Sequence, residues 1–169
     1  MEISKNKKTF NGVFITKSDS DITNLKDLKN KSFAFGNDKS TIGRYLAQEQ
    51  LLKNGITSKE LSSFKYLGRH DKVALAVANG NFDAGVVKEK TFKKYKSRGI
   101  KSIHKFKNIT KPWIVRQNMP IEIYNALKES MLNLKDKKVL KIFKGDGFVE
   151  TSDKEYNFVR DGINLSKSF

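Results

Sequence analysis

The sequence predicts an α/β fold: a doubly wound, mainly parallel sheet. Three observations predict it. Short runs of β-branched and aromatic residues alternate with helical segments in the order β-α-β-α-β-α-β over residues 32–107. Each helical segment closes on a Gly or an Asn-Gly pair. The chain has 169 residues, 37% of them apolar, which is enough for one packed core.

The elements follow in order. Residues 12–16, Gly-Val-Phe-Ile-Thr, read as a strand. Residues 20–31 are polar and turn-like, with Leu25 and Leu28 as apolar anchors. Residues 32–36 form a second strand, ended by Gly36-Asn37. A helix over 41–53 places Ile42, Tyr45, Leu46 and Leu52 on one face, and Asn54-Gly55 stops it. Residues 64–68 read as a strand and 71–79 as a helix of small residues, stopped at Gly80. A strand over 83–87, a helix over 89–97 stopped at Gly99, and a strand over 100–107 complete the alternation. Asp83 opens its strand in a structural role, pairing or capping at the sheet edge. Beyond residue 109 the pattern changes. Residues 113–116 read as a strand, and Pro120 suits a first helical position. Ile121, Tyr124, Leu127, Met131 and Leu134 then form a helical stripe. Residues 145–147 are a turn, and Tyr156, Val159 and Ile163 mark a last short helix.

Composition excludes several chemistries. There is no cysteine, hence no disulfide, thiolate zinc site or cysteine nucleophile. His70 and His104 are the only imidazoles, too few for a multi-histidine metal centre. No apolar run is long enough for a bilayer-spanning helix. Residues 1–5 are polar and no apolar stretch follows, so no secretory signal is read here. The net charge is +16, from 34 cations and 18 anions. Such a balance first suggests nucleic acid or an acidic surface as partner. However, Arg44, Arg69, Arg98, Arg116 and Arg160 are the only arginines, and the other 29 cations are lysines spread from Lys5 to Lys167. Phosphates and base edges are read best by the guanidinium fork, so nucleic acid is not the favoured partner. The densest groups, 88–96 and 135–144, read as polar helix faces.

In doubly wound sheets ligands sit beyond the C-terminal ends of strands, where the next helices begin. Two junctions fit. In 36–43, Ser40 and Thr41 add hydroxyls to the unpaired N–H groups of a helix start, which suits an oxyanion. The alternative is that Ser40 merely caps the helix. In 68–72, His70 sits at the next helix start and could donate to the same anion, or be a surface residue beside a capping Asp71. Ser40 and His70 do not read as a catalytic triad, because no nucleophile elbow accompanies them. Glu89 follows the strand over 83–87 and would reach the same end of the sheet. His104 reads as packed or exposed rather than functional.

These residues carry a resemblance. Residues 18–36 with 38–43, then Gly68-Arg69-His70-Asp71, 73–77, 79–85 and 112–120, resemble in the same order the phosphonate/phosphite/phosphate-binding periplasmic proteins of ABC transporters. The resemblance implies a type II periplasmic-binding fold and a solute-binding protein without catalysis or cofactor. It implies a small oxyanion as ligand (phosphonate, phosphite or phosphate) and an ABC permease as partner, at the periplasmic or extracellular membrane face. In that family a Ser-Thr-Ser loop and a His at the next junction hold the ligand oxygens. Ser40 and Thr41 match the first two positions, Ile42 replaces the third hydroxyl, and His70 matches the His. Ser40, Thr41, His70 and Glu89 are therefore the expected ligand-binding residues. Family members that recognise a ligand amine use acidic groups in the cleft. Here Lys111 supplies a cation and Glu89 is the nearby acid, so specificity for aminoalkyl phosphonates is not expected. The resemblance also implies lobes of 20–109, complete, and of 1–19 with 110–169, lacking most of an N-terminal part. Two other classes stay open: a ligand-sensing domain of a signalling protein, and a basic module for nucleic acid or an acidic surface.

Overall fold

The computed structural model describes residues 1–3, 7–143 and 145–169. Lys5 and Lys144, which bound two of the charge groupings above, lie outside the described residues. The strands are β1 (Glu2–Ile3), β2 (Thr9–Lys17), β3 (Ser32–Phe35), β4 (Ser63–Tyr66), β5 (Ala84–Lys88), β6 (Ile100–Ile109) and β7 (Gly147–Phe148). The α-helices are α1 (Leu46–Lys53), α2 (His70–Ala78), α3 (Glu89–Tyr95), α4 (Ile121–Leu132), α5 (Lys137–Phe143) and α6 (Asn157–Leu165). They form two compact units, one of residues 11–108 with 157–169, the other of 1–10 with 109–156.

The larger unit is built on a sheet of order β4-β3-β5-β2-β6. β3 runs parallel to β4 on one side and to β5 on the other, the expected mainly parallel centre. β2 lies antiparallel to β5, from Gly12 opposite Lys88 to Thr16 opposite Ala84. These limits differ from the lobe expected over 20–109. β2 is a central strand because Val13, Phe14 and Ile15 are fully buried and supply both faces of the sheet. α6 joins the same unit by packing on α1, where Gly162 leaves room for Leu46 and Glu49.

Alternation along the strands sorts two kinds of side chain. Val13, Ile15, Ala34 and Val87 pack with Val73, Ala74 and Val77 of α2, with Phe92 of α3 and with Ile100. On the opposite face Phe14 lies 5.7 Å from Phe33 and 5.6 Å from Phe106, ring centre to ring centre. Phe33 meets Phe35 at 4.7 Å, and Phe35 meets Tyr66 at 5.3 Å and Phe169 at 5.6 Å. His104 belongs to this layer, edge-on to Phe14 and bonded through Nε2 to Gln50 Oε1 at 3.2 Å. Asp83 pins the starts of β3 and β5: Ser32 N–H and hydroxyl both donate to its Oδ2 at 2.7 Å, and its own N–H donates to Ser32 Oγ.

The β3–α1 connection is held by backbone contact. Gly36 N–H donates to the Gly43 carbonyl at 2.8 Å. A Cβ on Gly43 would sit 2.9 Å from Gly36 Cα and 3.1 Å from Asn37 N, atoms that cannot turn aside. Gly43 therefore serves a chain-on-chain approach.

In the smaller unit β1 and β7 form a short antiparallel pair. Trp113 packs edge-on against Phe143 and Phe148, and its indole N–H donates to Glu2 Oε1 at 3.1 Å. Residues 113–116 are not a strand, contrary to the sequence reading. Their apolar, β-branched composition suits one, but a strand needs a paired neighbour, and none is present among the described residues. The helix expected over the 121–134 stripe is present as α4, yet Ile121 is 61% and Leu127 46% exposed within the chain.

Two substitutions test this account. Phe14→Ala removes a ring buried among three others and is expected to cost about 3–5 kcal/mol in urea denaturation. Gly43→Ala forces the β3–α1 connection open and is expected to cost about 1–3 kcal/mol by the same measurement.

Candidate functional site

β3 and β4 are parallel neighbours, so both release the chain at the same end of the sheet. The two connections are bonded to each other there: Gly68 N–H donates to the Gly36 carbonyl at 3.0 Å, and Leu67 N–H to the Phe35 carbonyl. After β3, Ser40 caps a π-helical turn (Thr41–Tyr45) that leads into α1. Its Oγ accepts the Gly43 N–H at 2.9 Å, while its carbonyl accepts from Arg44 and Tyr45. The serine is thus a cap, as the plainer sequence reading had it. Its hydroxyl proton is not committed by that bond.

After β4, Gly68 takes φ +79°, which reverses the chain without steric strain. Arg69 is extended, and His70 is the first residue of α2. The imidazole lies over Gly36: a Cβ there would come 3.5 Å from His70 Cε1 and 3.6 Å from Nδ1. Nδ1 is shielded from solvent and has no hydrogen-bond partner. Burial pushes the His70 pKa down to about 4, and the Lys88 ammonium pushes the same way. The Val86 backbone and the Asp71 carboxylate pull it up more weakly. At neutral pH the imidazole is uncharged and carries a single N–H.

Ser40 and His70 meet on one open cleft of about 470 Å³. Asn37, Gly68, Arg69, Asp71 and, from α3, Lys90, Thr91, Lys94 and Tyr95 line it with them. Three cations face one carboxylate. That carboxylate is already engaged: Arg69 Nε donates to Asp71 Oδ1 at 3.0 Å and a terminal nitrogen to Oδ2 at 2.7 Å. The pair holds the Asp71 carboxyl below its ordinary range, chiefly through the Arg69 hydrogen bonds. The cleft is therefore electropositive, with helix starts, a hydroxyl and a neutral imidazole as donors.

The other expected residues lie elsewhere. Thr41 is half-buried and does not line this cleft. Ile42, in the place of the third hydroxyl, is 1% exposed and belongs to the core. Glu89 accepts from Asn11 Nδ2 at 3.1 Å and pairs with Lys93 at 3.2 Å and Lys105 at 3.9 Å, away from the cleft lining. Sequence reasoning missed Lys90, Thr91, Lys94 and Tyr95 as cleft residues. Their signal was the spacing 90, 91, 94, 95, one face of a helix that follows a cleft-ending strand. Among the described residues no cluster of metal-ligating side chains occurs, and no helix is long and apolar enough to cross a membrane.

The family model for the periplasmic substrate-binding protein of phosphonate ABC transporters matches residues 1–156. A curated relative, described as a probable ABC transporter phosphite binding protein, PhnD1, of Prochlorococcus marinus (strain MIT 9301), is 26% identical over 185 aligned residues. The alignment takes in 95% of this chain and 62% of that protein, so the chain spans less than two thirds of its curated relative. The solved structure of the Prochlorococcus PhnD1 in complex with methylphosphonate superimposes with a TM-score of 0.80 at 22% identity, over 99% of this chain and 71% of that one. A binding protein component of an ABC phosphonate transporter from Pseudomonas aeruginosa gives a TM-score of 0.73 at 23% identity, over 98% and 61%. These likenesses show a shared fold. The family match runs through both helix-start connections and most of the chain, and on that ground the chain belongs to the periplasmic substrate-binding proteins of phosphonate ABC transporters, a family of binding proteins and not of enzymes.

Proposed function

We propose that this chain binds a small tetrahedral oxyanion (phosphonate, phosphite or phosphate) in the cleft between the β3–α1 and β4–α2 connections, for delivery to an ABC permease. The observation that carries the reading is the meeting of Ser40 and His70 at one electropositive cleft, built from two adjacent parallel strands. In this reading the Ser40 hydroxyl and the His70 N–H donate to ligand oxygens, and the start of α2 adds its partial positive charge. Arg69, Lys90 and Lys94 raise the local concentration of anions. The family implies a periplasmic location. Phosphite and methylphosphonate, named for relatives, are the ligands to try first.

The ligand test is calorimetry with phosphite, methylphosphonate and phosphate. Wild-type protein is expected to bind at least one of them, and to gain about 2.7 kcal/mol of stability at a hundredfold excess over Kd. Ser40→Ala with His70→Ala is expected to abolish both signals. Unchanged binding in the double variant would overturn the placement of the site.

His70 also makes stability depend on pH. Its folded pKa of about 4 lies below the ordinary 6.5, so the unfolded chain binds the extra proton between those values. Stability therefore rises from pH 4 to 6.5 and levels off above, and acidification through that window removes up to about 3 kcal/mol. His104, lowered by burial, acts in the same direction. Denaturation of His70→Gln between pH 4 and 7 is expected to show a visibly flatter profile than wild type.

A further inference from the structure

The charged groups of the cleft are unevenly committed. Asp71, its only lining carboxylate among the described residues, is held at both oxygens by Arg69. Lys90 and Lys94 stand one turn apart on α3, exposed, and neither is paired with a carboxylate among the described residues. The Lys94 ammonium lies 5.5 Å from the Tyr95 ring centre. The remaining acid of α3, Glu89, is drawn by Lys93, Asn11 and Lys105 to a site outside the cleft lining. The neighbouring position on the helix decides this: Lys93 takes the carboxylate, while Lys90 and Lys94 are left to the cleft.

Resting on the oxyanion reading above, we infer that Lys90 and Lys94 select ligands by the charge at the end remote from the oxyanion, favouring a second anionic group and disfavouring an ammonium. An oxyanion held by Ser40 and His70 would share its cleft with two ammonium groups that no carboxylate among the described residues pairs. A remote carboxylate is attracted there. An uncharged alkyl end is tolerated. A remote ammonium meets like charge and finds no free acid among the described lining residues, since their one carboxylate is engaged by Arg69. Because both lysines are exposed, the discrimination is modest and falls with salt.

The test is a set of three phosphonates of similar length: phosphonoacetate, ethylphosphonate and 2-aminoethylphosphonate. Calorimetry at low ionic strength is expected to rank them in that order on wild-type protein, with about a three- to tenfold spread in Kd from first to last. The spread is expected to shrink at 0.5 M salt. It is expected to fall to about twofold or less in Lys90→Gln with Lys94→Gln, whose thermal midpoint serves as the check on folding. Equal binding of the three by wild type, a preference for the ammonium ligand, or an unchanged spread in the double variant would overturn the inference. Failure of wild type to bind ethylphosphonate, phosphite, methylphosphonate and phosphate alike would overturn the oxyanion reading and this inference with it, whereas failure with ethylphosphonate alone would overturn only this inference, in which an uncharged alkyl end is tolerated. A flat ranking with ethylphosphonate bound would overturn this inference alone.

Discussion

The arrangement depends on the parallel pairing of β3 with β4. Parallel neighbours end on the same side of a sheet, so the two chain segments that leave them must share the space beyond it. Here that sharing is tight. The Gly36 carbonyl accepts from Gly68, the Gly36 amide donates to Gly43, a Cβ on Gly36 would lie 2.9 Å from Gly43 Cα, and the His70 ring lies in van der Waals reach of the same spot. One residue thus joins both connections to the imidazole. Glycine is required there by space, since the competing atoms are backbone.

The sheet beneath is divided by the alternation of its own side chains. Aliphatic residues of β2, β3 and β5 face α2 and α3, where close helix approach needs small groups. Aromatic residues occupy the opposite face and reach across four strands and the C-terminal Phe169. Such a division leaves β2 no freedom of register: a slip by one residue would put Phe14 against α2 and Val13 among the rings. The antiparallel strand is therefore as fixed as the parallel ones, although it lies outside the β-α repeat.

Charge in the cleft is organised by pairing as much as by number. A net charge of +16 is a property of the whole surface and says little about any one place. Local geometry offsets the Asp71 charge with Arg69, holds Glu89 against Lys93 and Lys105, and leaves two lysines in the same cleft lining as Ser40 and His70. The neutral state of His70 belongs to the same arrangement, because burial over Gly36 and the nearby Lys88 both disfavour the imidazolium.

The sequence by itself determined the alternation of elements from Ser32 onward, because hydrophobic period and terminating glycines are local properties. It also determined that the two helix starts would carry Ser40 and His70, since each follows a strand directly. The fate of residues 113–116 was not legible: strand formation depends on a neighbour, and composition does not report one. Nor was the membership of β2 and α6 in the larger unit, which rests on contacts between residues far apart in the chain. The chemistry of the cleft divides in the same way. Residue types told which groups were available, whereas pairing told which were spent. Asp71 and Glu89 look alike in sequence as acids near a helix start. The pairs Arg69–Asp71 and Glu89–Lys93 are two and four residues apart and so are local. Only the tertiary structure set Asp71 in the cleft lining and brought Asn11 and Lys105, from separate strands, to Glu89 outside it, because contacts between distant segments form only where the fold brings them within reach.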